Sequence, residues 1–279
     1  MAMQADKLRQ ALESIRGVRI PELPSEIIEL EAEIKSKFCN TYSIAKIIER
    51  NTTLSGEVIR LANSPMMKLR EPAKTIRDAL NVVGLDNIYN LVVAAAYERI
   101  FGTEGLYRDI MTHSVDVGFV MAHMSEWVQD ISRDQAYMVG LFHNVGALMY
   151  ATKNAKLYNK LFVASMSFPW KIIPKEEELM GSNHCFVGIL VAKKWLLPVE
   201  AINAIMLHHT HKLSDIPDDK VRALVAMIQV ANAIVAEVSL GAYRGQEMKD
   251  YEKQAMRELM IDYDVIRELR NRLLTDRNE

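Results

Sequence analysis

Apolar residues recur along most of the chain at intervals of three and four positions, which is the period of amphipathic helices. In the amino-terminal part this pattern predicts short helices whose apolar stripes lie within residues 27–34, 44–48, 54–61 and 76–83. A nearly continuous apolar stretch at 87–101 predicts a longer, buried helix. The first half of the chain is therefore expected to be entirely helical.

Cap residues mark where several of these helices begin and end. Thr75 with Asp78 three positions later has the spacing of a capping box, and Gly84 stands where the same helix should end. Asp86 is expected to cap the following helix, which should stop at Gly102. Asn51 and its neighbour are expected to separate two of the short helices as loop or cap residues.

The glycines around position 105 make the best candidate junction between two halves, with the boundary near Leu106. Beyond it, Ser132 and Gln135 have the spacing of a second capping box. The apolar pattern predicts further helices at 107–130, 132–150, 184–196, 200–209 and 221–238, and a charged carboxy-terminal helix within 237–279. The second half is therefore also expected to be helical.

Composition agrees with a globular helical protein. The 279 residues are 49% hydrophobic and 25% charged, and only 12 Gly and 8 Pro are present, which is too few for a turn-dense all-β chain. Lys plus Arg minus Asp plus Glu gives 34 − 36 = −2, so no excess positive charge favours a phosphate backbone. Nucleic acid is not an expected partner.

Cysteine usage and the amino terminus bear on the compartment. Cys39 and Cys185 lie far apart and match no metal or redox spacing, so each is expected to be an inert, buried small residue. The first ten residues are too polar for a signal peptide, and the apolar stretches are too short or too interrupted to span a membrane. We therefore expect a cytoplasmic protein without a membrane segment.

Histidines are the main candidates for chemistry, because six of the seven fall on separate predicted helices or helix ends. Several helices of one bundle can direct imidazoles to a common point and hold a metal there. The alternative is that they are hydrogen-bonded core or surface residues, and no HExxH pattern decides between the two. The six are His113, His123, His143, His184, His208 and His209.

The sequence motifs around these histidines resemble those of a known family. The stretches GLFHNVGALMY, ELMGSNHCFVGILVAKKWLLPVEAINAIMLHH and LVAMIQVANAIV, together with IIERNTTLSGEVIRLANSP in the first half, resemble the HDOD branch of the HD metal-dependent phosphohydrolase superfamily. This resemblance implies an all-α fold, with an amino-terminal helical bundle at 18–106 packed on a degenerate HD-type helical core at 107–236. Residues 1–17 are then an amino-terminal extension.

The resemblance also implies a set of site residues. In catalytic HD proteins one or two divalent metals are held by a His, a His-Asp pair and a later Asp, sometimes with further His. Both carboxylate positions are amides in this chain, and Ala147 stands where a basic residue is often found. The residues that correspond are His113, the pair His143 and Asn144, the additional His184 and His208 or His209, and the late Asn232.

Loss of the two carboxylates changes the expected chemistry. A carboxylate supplies negative charge and two ligand oxygens, whereas an amide offers only a neutral carbonyl oxygen. A di-metal hydrolytic centre should therefore be badly weakened, and no cofactor is expected. A site for one divalent metal (zinc, manganese, iron or magnesium) on His113, His143, His184 and His208 stays open as an alternative.

Two functions follow from the resemblance. The first is a non-catalytic regulatory module of bacterial signal transduction, which binds a signalling protein or a small signalling ligand. The second is a residual metal-dependent phosphohydrolase that acts on a nucleotide or a cyclic dinucleotide, which leaves enzymatic activity undecided, with the amides favouring its absence. The charged carboxy-terminal helix is expected to present a solvated face, with self-association as a homo-oligomer left open as the alternative.

Overall fold

The described part of the chain, residues 2–277 except 65, 66, 68, 70, 102 and 103, consists of helices joined by loops in a computed structural model and has no strand. The predicted all-α class is therefore confirmed. The first half contains α1 (Ala2–Ser14), α2 (Ser25–Ile34), α3 (Thr41–Glu49), α4 (Thr52–Ala62), α5 (Ile76–Val83) and α6 (Leu85–Ile100). The second half contains α7 (Gly105–Met124), α8 (Arg133–Phe142), α9 (Val145–Ser165, kinked at Asn154), α10 (Ile172–Met180), α11 (His184–Lys194), α12 (Val199–Leu207), α13 (Asp219–Leu240), α14 (Gln246–Leu259) and α15 (Tyr263–Asp276).

The predicted caps of the first half are present, with one correction. Thr75 and Asp78 form the capping box of α5, and Asn51 accepts a hydrogen bond from the Leu54 amide at the start of α4. Gly84 ends α5 with a φ of 90°, and it also directly precedes α6. The expectation that Asp86 caps α6 is wrong, because no linker separates the two helices and Asp86 already lies within α6.

The two halves pack on one another through a continuous core. The Tyr97 ring of α6 packs tilted against Phe142 of α8, with ring centroids 4.2 Å apart, and the Trp195 ring meets Tyr97 edge-on at 6.2 Å. Helix α1 packs on α11, so residues before 18 also belong to this core. Gly102 of the predicted junction lies outside the described residues, and the boundary near Leu106 stays a prediction.

The predicted helix at 132–150 is two helices. Helix α8 ends at Phe142, and α9 begins at Val145 after the non-helical Asn144, whose φ is −104° and ψ 19°. The break escaped the sequence pattern because the residues on both sides are buried on every face, so no apolar stripe changes phase. Its consequence is functional, since it leaves His143 and Asn144 between the helices.

The single charged helix expected at the carboxy terminus is also two helices. Met260 adopts a left-handed conformation with a φ of 52° and ends α14, and Asp262 then caps α15. Apolar residues such as Tyr251 and Leu273 bury both helices against the rest of the protein, where α14 and α15 contact α13. The segment is therefore part of the core and covers one side of α13.

Helix α13 lies at the centre of the second half. It packs against α7, α12, α14 and α15. Its segment Asp219–Ser239 is long and apolar enough to span a membrane by length and composition, but 78% of that window is buried inside the protein. Burial by four neighbouring helices accounts for its apolar character, as for the central helix of any helical core.

Candidate functional site

The structure brings all seven predicted site residues into one cluster. His113 lies in α7, His184 is the first residue of α11, and Asn232 lies in α13. His143 and Asn144 occupy the break between α8 and α9, and His208 and His209 directly follow α12. Ring centroids of neighbouring histidines are 4.2–5.5 Å apart from His113 through His143 and His208 to His209.

A close helix contact holds this cluster together. A Cβ atom added to Gly146 would lie 2.0 Å from the His184 carbonyl oxygen and 2.6 Å from the Gly188 amide nitrogen. Only glycine therefore lets the first turn of α9 rest on the first turn of α11. Because His143 precedes α9 by two residues, this contact places it beside His184.

One end of the cluster, which we call the amide end, consists of His113, Asn144 and Asn232. His113 Nε2 lies 3.0 Å from Asn232 Oδ1, and since the amide oxygen only accepts, His113 donates through Nε2. Its Nδ1 is buried without a hydrogen-bond partner. Burial lowers the pKa of His113 to about 4, so the imidazole is neutral at physiological pH.

The cavity at the amide end is very small. It has a volume of about 10 Å³ and is lined by the three amide-end residues together with His209 and others. That is roughly the volume of one water-sized sphere. A nucleotide therefore has no room at this position.

His143 connects the amide end to the rest of the cluster. Its Nδ1 lies 2.6 Å from the Gly140 carbonyl oxygen, which makes Nδ1 the donor and leaves a lone pair on Nε2. That Nε2 is buried and has no hydrogen-bond partner. Burial, aided by the neighbouring His113, holds the pKa of His143 well below its usual range, so this ring is neutral too.

The opposite end, which we call the thiol end, consists of His184, Cys185, His208 and His209. Four potential ligand atoms, one from each residue, lie within 4.8 Å of one another. His184 Nε2 is 3.2 Å from His208 Nε2, and Cys185 Sγ is 3.7 Å from His184 Nε2. Cys185 is buried as expected, but the expectation that it has no neighbouring cluster of candidate ligands is wrong.

A buried carboxylate supports the thiol end and was missed by the sequence reasoning. Glu176 of α10 is 1% exposed and accepts hydrogen bonds from the His184 amide at 2.8 Å, from His184 Nδ1 at 2.7 Å and from Tyr158 Oη at 2.8 Å. It lies eight residues before His184, across a loop, and no periodic signal links the two positions. Only the folded loop reveals the contact.

The electrostatics of the thiol end are uneven. Burial alone lowers the pKa of His184, but Glu176 and Cys185 outweigh it and hold that pKa well above its usual range. Burial and the neighbouring imidazoles hold the pKa values of His208 and His209 well below theirs. The His184 proton is thus favoured by the adjacent carboxylate, whereas the other two imidazoles are neutral, which is the form that binds metals.

The two ends differ in how well they fit a divalent metal. The amide end offers no carboxylate, and its Asn232 oxygen is already bonded to His113, so it does not fit a two-metal hydrolytic centre. The thiol end offers neutral imidazoles, a sulfur atom and a buried carboxylate behind His184, which suits a single transition metal. His209 Nδ1 there is buried without a hydrogen-bond partner.

A family model decides the relationship to known proteins: the model described as the HDOD domain matches residues 20–211. The chain belongs to the HDOD family. The matched stretch includes the five histidines of the cluster, whereas Asn232 and helices α14 and α15 lie beyond it. The family resemblance inferred from the sequence motifs is confirmed.

Solved structures show the same fold at low identity. An HDOD domain protein of unknown function from Geobacter sulfurreducens is 21% identical, with a TM-score of 0.68 over 96% of this chain and 97% of that chain. A protein from Marinobacter aquaeolei VT8, provisionally named for signal transduction, is 18% identical, with a TM-score of 0.72 over 99% and 64%. One from Shewanella amazonensis SB2B, provisionally named a phosphohydrolase, is 20% identical, with a TM-score of 0.66 over 95% and 93%.

A curated relative extends beyond this chain. An uncharacterized protein of Treponema pallidum (strain Nichols) is 23% identical over 220 residues, which is 77% of this chain. The match spans only 42% of the relative's length. The solved structures show the fold alone, and the names of the relatives describe those proteins alone.

Proposed function

We propose that this HDOD protein is a non-catalytic regulatory module of bacterial, cytoplasmic signal transduction, which binds a signalling protein or a small signalling ligand. The amide end carries this proposal. Asn144 and Asn232 stand at both positions where catalytic HD proteins have carboxylates, and Asn232 Oδ1 is engaged by His113.

The chemistry of phosphoester hydrolysis explains why this matters. A two-metal centre needs anionic ligands to hold the ions and to lower the pKa of a bound water toward neutrality. Two amides provide no charge for this purpose. The cavity of about 10 Å³ is also far below the several hundred Å³ of a small-molecule site, so substrate access is closed as well.

A larger cleft elsewhere supports the binding role. It has a volume of about 650 Å³ and lies between α2 and α6 of the first half and the starts of α8, α12 and α13 of the second half. Its lining combines apolar Tyr89 and Leu197 with polar Gln135 and Lys220. A ligand there would contact both halves and stabilise one arrangement of them.

Backbone strain coincides with this cleft. Asp130 and Leu196 both line it, and both adopt positive φ angles, of 60° and 54°. Such conformations are unfavourable for residues other than glycine and cluster at binding sites and switch regions. The cleft is therefore our candidate for the signalling surface.

The first test is hydrolysis by the full chain. We expect no hydrolysis of bis(p-nitrophenyl) phosphate, nucleotides or cyclic dinucleotides with magnesium, manganese, iron or zinc. The rate measured for His143→Ala should be the same as that of the wild type. Turnover that disappears in His143→Ala would contradict the proposal and favour the residual phosphohydrolase, to which the retained histidine cluster gives some support.

The second test concerns the cleft. Calorimetric titration with the same nucleotides and cyclic dinucleotides should show saturable binding that Gln135→Arg abolishes by filling the cleft. Gln10→Arg, which makes the same change at an exposed position of α1, is the matched control and should bind like the wild type. Equal loss in both variants would remove the cleft from the proposal.

A further inference from the structure

We propose that the thiol end binds one zinc ion through His184, Cys185, His208 and His209, as a closed structural centre whose fourth ligand is a cysteine thiolate. This inference goes beyond the proposed regulatory function, because it assigns a metal, a sulfur ligand and a structural role. It also separates the metal from the amide end, where the family resemblance would place part of it.

The hydrogen bonds around two rings provide the first argument. His208 Nδ1 lies 2.7 Å from the Ile205 carbonyl oxygen, and His184 Nδ1 lies 2.7 Å from a Glu176 carboxylate oxygen. Both Nδ1 atoms must donate, because both partners only accept. In their neutral forms the two rings therefore direct Nε2 lone pairs at each other across 3.2 Å.

Two facing lone pairs at this distance repel unless a positive charge lies between them. The charge is either a proton on His184 or a metal ion that both Nε2 atoms bind. Zinc bound at 2.0–2.1 Å to nitrogen and 2.3 Å to sulfur in a tetrahedron separates its ligand atoms by about 3.3–3.6 Å. The observed 3.2 Å between nitrogens and 3.7 Å from Cys185 Sγ to His184 Nε2 are close to these values.

His209 adds the remaining ligand. Its Nδ1 is buried and has no hydrogen-bond partner. A buried polar atom in this state is unfavourable unless a ligand such as a metal ion binds it. Its ring centroid lies 4.9 Å from that of His184 and 4.2 Å from that of His208. Coordination would satisfy this nitrogen together with the two Nε2 atoms.

The donor set selects the metal. Imidazole and thiolate favour zinc and chemically similar transition metals over magnesium and manganese, which prefer oxygen ligands. Four protein ligands also leave no open position for a water or substrate, and that is the mark of a structural zinc site. Glu176 behind His184 supplies the outer carboxylate that commonly orients a zinc-bound histidine.

The position of the centre explains what it would stabilise. His184 and Cys185 begin α11, whereas His208 and His209 follow α12, so the ion would join the two ends of this helix pair. Tyr251 of α14 donates to the His208 carbonyl oxygen at 2.9 Å, which extends the connection to the carboxy-terminal helices. Metal removal should therefore loosen α11, α12 and α14 together.

The test begins with the full-length wild type. After dialysis against a chelator, titration with zinc should reach one ion per chain by elemental mass spectrometry. Titration with cobalt(II) should produce intense near-ultraviolet absorption, which arises from charge transfer between a thiolate and cobalt. One cobalt bound without that absorption would overturn the cysteine ligand, and failure to bind either ion would overturn the site.

Variants then locate the ion. Cys185→Ser should abolish the charge-transfer band and weaken zinc affinity by at least tenfold, and His208→Ala should remove stoichiometric zinc. Cys39→Ser and His113→Ala are the matched controls, since neither residue belongs to the thiol end, and both should retain the ion and the band. Loss of zinc in His113→Ala with retention in His208→Ala would overturn the assignment.

Folding and function are read separately. Cys185→Ser changes a single atom, and circular dichroism at equal concentration will show whether its helices persist. The hydrolysis test of the proposed function uses other readouts. Phosphoester hydrolysis by a protein that shows no cobalt charge-transfer band would refute both the regulatory function and the zinc centre. Hydrolysis by a protein that binds zinc at the thiol end would refute only the regulatory function. Absence of both hydrolysis and metal binding would refute only the zinc centre.

Discussion

The amide end and the thiol end lie in one buried cluster, yet the pKa values of one histidine at each end, His113 and His184, are shifted in different directions. At the amide end every group is neutral: His113 has a pKa of about 4, and its partner Asn232 carries no charge. At the thiol end His184 retains a raised pKa beside Glu176. Both ends are largely buried, so the difference comes from the carboxylate of Glu176 beside His184.

This comparison shows how the buried cluster avoids uncompensated charge at the amide end. A buried carboxylate without a metal or a cationic partner is costly, and an amide of the same shape removes that cost. Glu176, the buried carboxylate beside His184, has three hydrogen-bond donors around it. The buried charge of Glu176 thus stands where the fold satisfies it.

The largest expected effect comes from removing that carboxylate. Glu176→Ala should lower the free energy of unfolding by about 3–5 kcal/mol, because it leaves His184 and Tyr158 without their acceptor in a buried position. Urea denaturation of the apoprotein measures this. Glu178→Ala, at an exposed neighbouring position, is the control and should change stability by less than about 0.5 kcal/mol. Equal effects would mean that Glu176 is not the support of the thiol end.

Introducing carboxylates should turn the amide end into a metal-dependent site. The double change Asn144→Asp with Asn232→Asp should destabilise the protein by about 2–3 kcal/mol in chelator, because it buries two uncompensated carboxylates. Added manganese should recover most of this loss. Thermal denaturation with and without manganese measures both effects. If manganese stabilises the wild type equally, the amides are not what excludes the metal.

A helix contact test measures how closely the two ends are held. Gly146→Ala should cost about 1–3 kcal/mol, because its Cβ would lie 2.0 Å from the His184 carbonyl oxygen and push α9 away from α11. Gly56→Ala in α4, where the Cβ meets nothing within 4 Å, should instead stabilise by about 0.5–1 kcal/mol. Urea denaturation compares them, and a neutral Gly146→Ala would show that the helices separate easily.

The smallest expected effect concerns Asp134, a buried carboxylate outside the histidine cluster, and it measures what burying that charge costs in stability. Burial raises the pKa of Asp134, although Asn90 donates to it at 2.6 Å. A raised folded pKa means that the wild type is penalised above that pKa and loses the penalty as the pH falls to the ordinary value of 3.8. Asp134→Asn should therefore be more stable than the wild type at neutral pH, by less than about 1 kcal/mol.

The advantage of Asp134→Asn should shrink as the pH falls. Urea denaturation of both proteins over that pH range measures it. An advantage that is constant with pH would show that it arises from packing and not from charge.

Much of the fold could be predicted because its signals are local. The capping box of Thr75 and Asp78, the Asn51 cap and the stop at Gly84 depend on residues within one turn of each other. The family could be named because its short motifs, each local in the sequence, occur in a characteristic order along the chain. The break at His143 and Asn144 could not be found, because a segment buried on all sides has no polar face to mark a change of phase.

The candidate site was only half visible in the sequence. Family motifs point to the seven residues that the structure brings together, but not to Glu176 or to the place of Cys185. Both depend on how α10, α11 and α12 pack, and side-chain types at separations of eight and 23 residues carry no distance information.

By itself, the sequence determined the helical class, the approximate bounds of α2 to α7 and of α11 to α13, the HDOD family and the amides at positions 144 and 232, because each is a matter of residue type and local spacing. Only the tertiary structure decided that the amide end is closed to about 10 Å³ and that Cys185 Sγ lies 3.7 Å from His184 Nε2. Such properties arise from close packing between helices distant in the chain. In such a close-packed interior, small displacements of the helices change whether these side chains can reach one another.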